Sequence, residues 1–274
     1  MPARRRGTWA IAAGALGLAA VVALALAAPL AAPADPYRTE LSARLRPPDA
    51  EHPLGRDALG RDVLARLARG ACTSLGVGVA VVTLSAMVGV LLGGLAGFAG
   101  GWVDELLARA IDVLLAFPGL LLAIALAAVL GPGFGNTILA LSFLGWTGYA
   151  RLARTEVASL ARRDFAEAAR ALGASPARIV VRHLLPLAAP VLLVQATFGL
   201  SSAILAEASL SFLGLGMPPP APTWGGMLDE GRQLMLVAPH LVLAPGTALA
   251  GTILALQLLG DGLRDRLDVR DPER

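Results

Sequence analysis

The chain has 274 residues, of which 56% are hydrophobic and 16% charged, with a formal net charge of +3. Soluble domains are about 45–50% apolar and about a quarter charged, so a water-soluble fold of this composition would expose more apolar surface than such proteins tolerate. All 23 basic residues are arginines flanking long apolar runs, which fits the edges of membrane spans and argues against a nucleic-acid surface, while the single Cys72 rules out an internal disulfide.

A bilayer core takes about 20 mostly apolar residues per helix. In chain order the candidate spans are Thr8–Leu30, Ala71–Ala99, Leu114–Leu130, Thr137–Ala153, Leu187–Leu213 and Leu241–Gly260. They predict an all-α membrane protein of six transmembrane helices. These runs are continuously apolar, unlike the alternating strands of a membrane barrel.

The first span has a rival reading. Arg4-Arg5-Arg6, the apolar run and Ala32-Pro33-Ala34 resemble a secretory signal with its cleavage site. The run exceeds the roughly 7–15 apolar residues of such signals, so a retained span is expected. The following external segment, 31–70, ends in Asp62–Arg69, which places Val63, Leu64 and Leu67 on one face of a short helix and Arg66 and Arg69 on the other. Cys72 reads as a small packed hydrophobe. Asp112, at the inner edge of the third span, reads as a partner of Arg109 or as a helix-start acid. Gly131–Asn136 is a tight turn between spans three and four.

Arginine counts orient the bundle. With the amino terminus in the cytoplasm, fifteen arginines fall on inner segments and eight on outer ones. Cytoplasmic loops carry the excess of positive charge, so both termini are expected inside. The chain divides into 1–70 (tip, first span and external segment), a five-span core 71–260 that includes a cytoplasmic loop at 154–186, and a tail 261–274.

That cytoplasmic loop is the informative segment. Asp164 can cap a helix that Glu167 closes reciprocally. Phe165, Ala168, Ala169 and Leu172 then fall on one face at helical spacing. Gly173 stands where helices end in a left-handed residue. Ser175 can cap a second helix with Pro176 at its first position, and Pro186 is expected to end it. A two-turn helix is unstable alone in water, so its apolar stripe must dock, either on the chain's own bundle or on a partner.

The run Glu167-Ala168-Ala169, Gly173, Ile179 and Leu185-Pro186 resembles the motif of ABC-importer permeases. Other segments resemble the dipeptide/oligopeptide/nickel branch, and its second, C-type, permease in particular. These are His52-Pro53-Leu54-Gly55-Arg56-Asp57, Leu59-Gly60-Arg61-Asp62, Glu207–Gly216 with Trp224-Gly225 downstream, and Leu258–Asp265. The resemblance implies that the loop is a coupling helix seated in a cleft of an ATPase subunit, with Asp164, Phe165, Glu167, Ala168, Ala169, Leu172, Gly173, Ile179, Leu185 and Pro186 forming the motif. It implies as partners a second six-span permease, two cytoplasmic ATPase subunits, an external solute-binding protein and the lipid bilayer of a bacterial inner membrane, with peptides or a related small solute such as nickel as cargo.

The residues themselves limit the alternatives. A P-loop needs a lysine, and the chain has none, so ATP hydrolysis is expected on another subunit. No catalytic, metal or cofactor constellation stands at a recognisable spacing; His52, His183 and His240 are far apart. A secondary transporter would show internal repeats and intramembrane charges, and an intramembrane enzyme would rest on acids such as Asp112 and Glu207. The fifth span carries a small and polar stripe, Gln195, Gly199, Ser202 and Ser209, with Glu207 beside it near the outer mouth. That stripe either lines a translocation path or lets helices approach closely.

Overall fold

The structure, a computed structural model, describes residues 2–31 and 35–267, and the side chains among them except those of 2–7, 24 and 26–31. The triplet 32–34 read as a cleavage site and the tail arginines Arg270 and Arg274 lie outside the described residues.

The described residues form helices and no strand. In order these are α1 Pro2–Ala31, α2 Val63–Ala99, α3 Gly101–Leu115, α4 Gly119–Leu130, α5 Phe134–Leu160, α6 Asp164–Ala171, α7 Pro176–Ile179, α8 Leu185–Phe212, α9 Trp224–Arg232 and α10 His240–Leu267. A π-helical turn, Val180–Leu184, joins α7 to α8. Among the described residues, three helical runs are long and apolar enough to cross a membrane by themselves: Val63–Ala99, Pro176–Phe212 and His240–Leu267. The chain is a multi-pass membrane protein.

Three expectations about these elements are corrected. The third span does not start at Leu114: α3 and α4 are bent by 83° at the break between them. Pro118 lies in that break and biases the residue before it away from helix, while α3 keeps its own charged face with Asp104, Glu105 and Arg109. Nor does Pro186 end a helix. It sits in the first turn of α8, and the π turn before it rearranges the hydrogen bonding where the proline lacks a donor. The helix at Asp62–Arg69 is the beginning of α2 rather than a separate surface helix, and Asp62 caps it by accepting from the Ala65 N–H at 2.6 Å.

Close backbone contact organises the core. α2 and α5 form the most extensive pair. Gly89, Gly93 and Gly97, one per turn of α2, face Trp146, Ala150 and Arg154 of α5, and a Cβ on any of the three would overlap a backbone oxygen of α5. Small residues at this spacing let spanning helices meet where water gives no hydrophobic drive. α1 lies against α10 in the same manner, with Gly14 and Gly17 over Ala255.

Trp224 fills the junction of α2, α8 and α9. Its indole N–H donates to the Leu67 carbonyl at 3.1 Å, and Gly70 leaves room for the ring.

Candidate functional site

The loop between α5 and α8 stands on a pedestal of its own. Val157, Leu160 and Ala161 at the end of α5, Ile179, Val180 and Leu184 before α8, and Ala188 in α8 form a buried apolar cluster that takes in Ala166 of α6. Ala166 is fully buried and Ala169 half-buried there. Phe165, Ala168 and Leu172 point away, with Leu172 88% exposed. The predicted single stripe is therefore split. One edge of α6 packs on the chain's own bundle, and the adjoining edge, tipped by Phe165 and Leu172, is uncovered.

The ends of α6 differ from expectation at one terminus. Asp164 is already helical; Arg163, in extended conformation, occupies the cap position, and no side chain caps there. Asp164 and Glu167 instead share the first turn, where the positive end of the helix dipole favours carboxylates. At the other terminus the expectation holds. Gly173 has φ +78°, its N–H donates to the Arg170 carbonyl at 2.9 Å, and the Ala174 N–H donates to Ala169 at 3.0 Å, closing the helix as glycine caps do. Ser175 occupies the cap of α7 without a side-chain bond, and Pro176 stands at its start.

The loop is tied to α2 and α3. The Arg170 guanidinium lies 5.3 Å from the Phe98 ring centroid and donates to the Ala161 carbonyl at 3.0 Å. Arg154, at the loop end of α5, grips Asp104 of α3 with two parallel bonds, the second at 2.7 Å. Asp104, Arg162, Glu167 and Arg170 line a polar recess between these elements. Arg109 pairs with Glu105 one turn away, not with Asp112; Asp112 meets Arg151 of α5 at 3.4 Å, a partner 39 positions distant that local spacing could not reveal.

The candidate path residues separate. Gln195, Gly199 and Ser202 line a groove of about 340 Å³ between α2, α4, α5 and α8. Ser209 does not reach it and bonds back to the Leu205 carbonyl at 2.8 Å. Glu207 is buried on another side of α8, accepting from the Ser211 hydroxyl at 2.7 Å.

At the far end of α2, an ion-pair cluster that sequence reasoning missed joins the segment before α2 to α9. Arg61 bonds Asp57 at 2.6 Å and Glu230 at 2.8 Å; Arg66 bonds Glu230 at 2.9 Å and approaches Asp57 at 3.5 Å. Arg66 is thus buried, 2% exposed, and not on a solvated face as its spacing predicts. Nearby, the Arg56 guanidinium bonds Glu40 at 2.7 Å and holds that carboxyl below its ordinary value, by the hydrogen bond first and by charge second.

The family profile described as binding-protein-dependent transport system inner membrane component matches residues 89–270. A dipeptide transport system permease protein, DppC, of Alkalihalophilus pseudofirmus is 42% identical over 255 residues, covering 93% of this chain and 84% of that protein. A glutathione transport system permease protein, GsiD, of Pectobacterium atrosepticum is 44% identical over 221 residues, covering 81% of this chain and 73% of that one. In fold, the chain is similar to a chain of the MetNI methionine ABC transporter in its inward-facing conformation, with TM-score 0.57 and 19% identity over 72% of this chain and 93% of that chain. The chain belongs to the binding-protein-dependent transport system inner membrane components and is a permease subunit of an ABC importer.

Proposed function

We propose that this permease carries short peptides across a bacterial inner membrane, and that α6 is the element through which ATPase subunits drive it. The observation that carries the coupling role is the split surface of α6. Ala166 and Ala169 hold the helix on its pedestal, which leaves Phe165, Ala168 and Leu172 uncovered beside a glycine-closed end. A large aliphatic side chain held out at a helix end suits a pocket on another protein. Peptide cargo rests on relatives whose names specify dipeptide and glutathione, both built on amide bonds; a nickel complex is the second cargo class.

The working assembly pairs this chain with a second six-span permease, two cytoplasmic ATPase subunits and an external solute-binding protein. This chain contributes six spans with both termini cytoplasmic, the core 71–260 and the loop 154–186. ATP is hydrolysed on the separate subunits, since a chain without lysine has no P-loop. Nucleotide binding draws the ATPase subunits together, and differential binding to the two states of the bundle shifts it between inward- and outward-facing forms.

The test uses Leu172→Ser and Gly173→Val. Leu172 packs on little of its own chain, so Leu172→Ser should leave membrane abundance unchanged. A Cβ on Gly173 meets nothing within 4 Å; the cost of valine there is the left-handed backbone alone, on the order of 1–3 kcal/mol. Both variants should reach the membrane at normal levels, retain less than about a tenth of the ATPase subunits in pull-down, and lose uptake by a similar factor. Undiminished association and uptake at normal abundance would remove the role given to α6.

A further inference from the structure

α3 exposes two kinds of surface along its length. Ile111 is buried, and Val103, Leu107 and Leu114 on the same side are half-buried, so this side of the helix packs on the chain. The uncovered remainder divides lengthwise. Trp102, Leu106 and Val113 are 74%, 60% and 63% exposed, and at 3.6 residues per turn they fall within about 40° of one another. Glu105, Arg109 and Asp112, all exposed, form a separate charged edge beside them.

The chain holds this helix across the bundle rather than along it. Gly100 and Gly101, with φ +65° and +58°, make a corner after α2 in the left-handed region that glycine enters freely. At its other end α3 meets α4 at 83°. Asp104 in the first turn of α3 binds Arg154 of α5, and Asp112 near the end of α3 meets Arg151. The two acids are eight positions apart, about 12 Å along α3, whereas the two arginines are three apart, about 4.5 Å along α5. α3 therefore runs at a steep angle to α5, near the end of α5 that leads into α6.

The exposed apolar edge continues through the joint, at Phe117 and Leu121, into α4, which carries no polar side chain. Neither water nor hydrocarbon suits both edges of α3. Water would leave Trp102, Leu106 and Val113 bare, and hydrocarbon would strand Glu105 and Asp112. The boundary between headgroups and acyl chains suits both. An amphipathic helix there buries its apolar side about 5–10 Å deep, and tryptophan is enriched at that level.

We infer that α3 lies in the membrane surface on the α6 side as an interfacial helix, with Trp102, Leu106 and Val113 among the lipid chains just beneath the headgroups, rather than as the upright first part of a span. The inference holds for any transported solute, since it rests only on the membrane crossing of α2. Asp104 lines the recess shared with Glu167 and Arg170, so α6 works beside a helix moored in lipid.

The experiment uses the complete transporter in lipid nanodiscs, with Cys72→Ser in this chain and an environment-sensitive fluorophore on one introduced cysteine, Glu105→Cys, Leu106→Cys or Val113→Cys. Nitroxide lipids carry the quencher either near the glycerol end of the acyl chain or near its methyl end, and iodide quenches from the water. At Leu106→Cys and Val113→Cys the shallow nitroxide should quench about twofold more strongly than the deep one, as a depth of about 5–10 Å requires. Iodide should quench Glu105→Cys about twofold more strongly than either of them. Shallow quenching at Leu106→Cys with deep quenching at Val113→Cys would make α3 the upright start of a span. Equal iodide quenching at all three positions would put the helix in water. Absence of quenching by either lipid at Leu106→Cys and Val113→Cys would give that edge to the second permease. Each of these three results would overturn the interfacial placement.

Discussion

Arg66 shows how far one side chain can stray from its sequence pattern. Spacing pairs it with Arg69 on a polar face, yet Arg69 is exposed and Arg66 is enclosed between Asp57 and Glu230. Removing one member of a buried pair strands the other charge, at about 3–5 kcal/mol. Glu230 is half-exposed and keeps Arg61, which favours the lower end. Arg66→Ala should destabilise the purified complex by about 3 kcal/mol, read as a lowered thermal midpoint in detergent, while Arg69→Ala should stay within about 0.5 kcal/mol. Equal effects of the two would dissolve the cluster as a stabilising feature. The residues of this cluster come from positions 57–66 and 230, and no local rule links them. Gly173 is the opposite case: its left-handed turn follows from its place between a short helix and a Ser-Pro start, and it was legible from the sequence.

At the scale of elements, periodicity, Gly173 and the Ser-Pro start gave α6, the glycine turn and the start of α7 because those signals lie within a dozen residues, although the capping bonds expected of Asp164 and Ser175 do not form. The apolar run from Leu114 to Leu130 failed for the converse reason. Its hydropathy is continuous while its backbone is broken before α4, and only Pro118 marked the break. The small-residue stripe of the fifth span was legible as small and polar, but not which part of it faces the groove; Ser209 and Glu207 turn elsewhere because packing against α2 and α9 sets the rotation of α8. The α2–α5 contact permits a sharper prediction. Gly93→Val must push α5 from the backbone it touches, an overpacking of about 3 kcal/mol or more, and should lower the membrane level of the chain severalfold. Gly251 has nothing within 4 Å of an added Cβ, so Gly251→Ala should leave that level unchanged. Equal yields from both variants would mean that the two helices do not depend on close approach.

Across the whole molecule, α2 is the measuring rod. At about 1.5 Å per residue its 37 residues extend about 55 Å, more than the roughly 40–45 Å of a bilayer with its headgroups. Its first turns carry the ion-pair cluster with the segment before it and α9; its last turn carries Phe98 against Arg170 of α6. These two ends must therefore emerge on opposite faces of any membrane that α2 crosses. The arginine excess on the α6 side leads us to propose that this face is the cytoplasmic one. Cys72, expected to be packed, is exposed on α2, so labelling is cleanest once Cys72→Ser removes it. In that background Ser175→Cys should react with a membrane-impermeant thiol reagent only in inside-out vesicles, and Asp49→Cys only in intact cells or spheroplasts. Both positions are exposed, so accessibility within the protein does not limit either reaction. Reaction of both from one side would break the link between α2 and a membrane crossing, and reaction of Ser175→Cys from outside would separate α6 from any cytoplasmic ATPase.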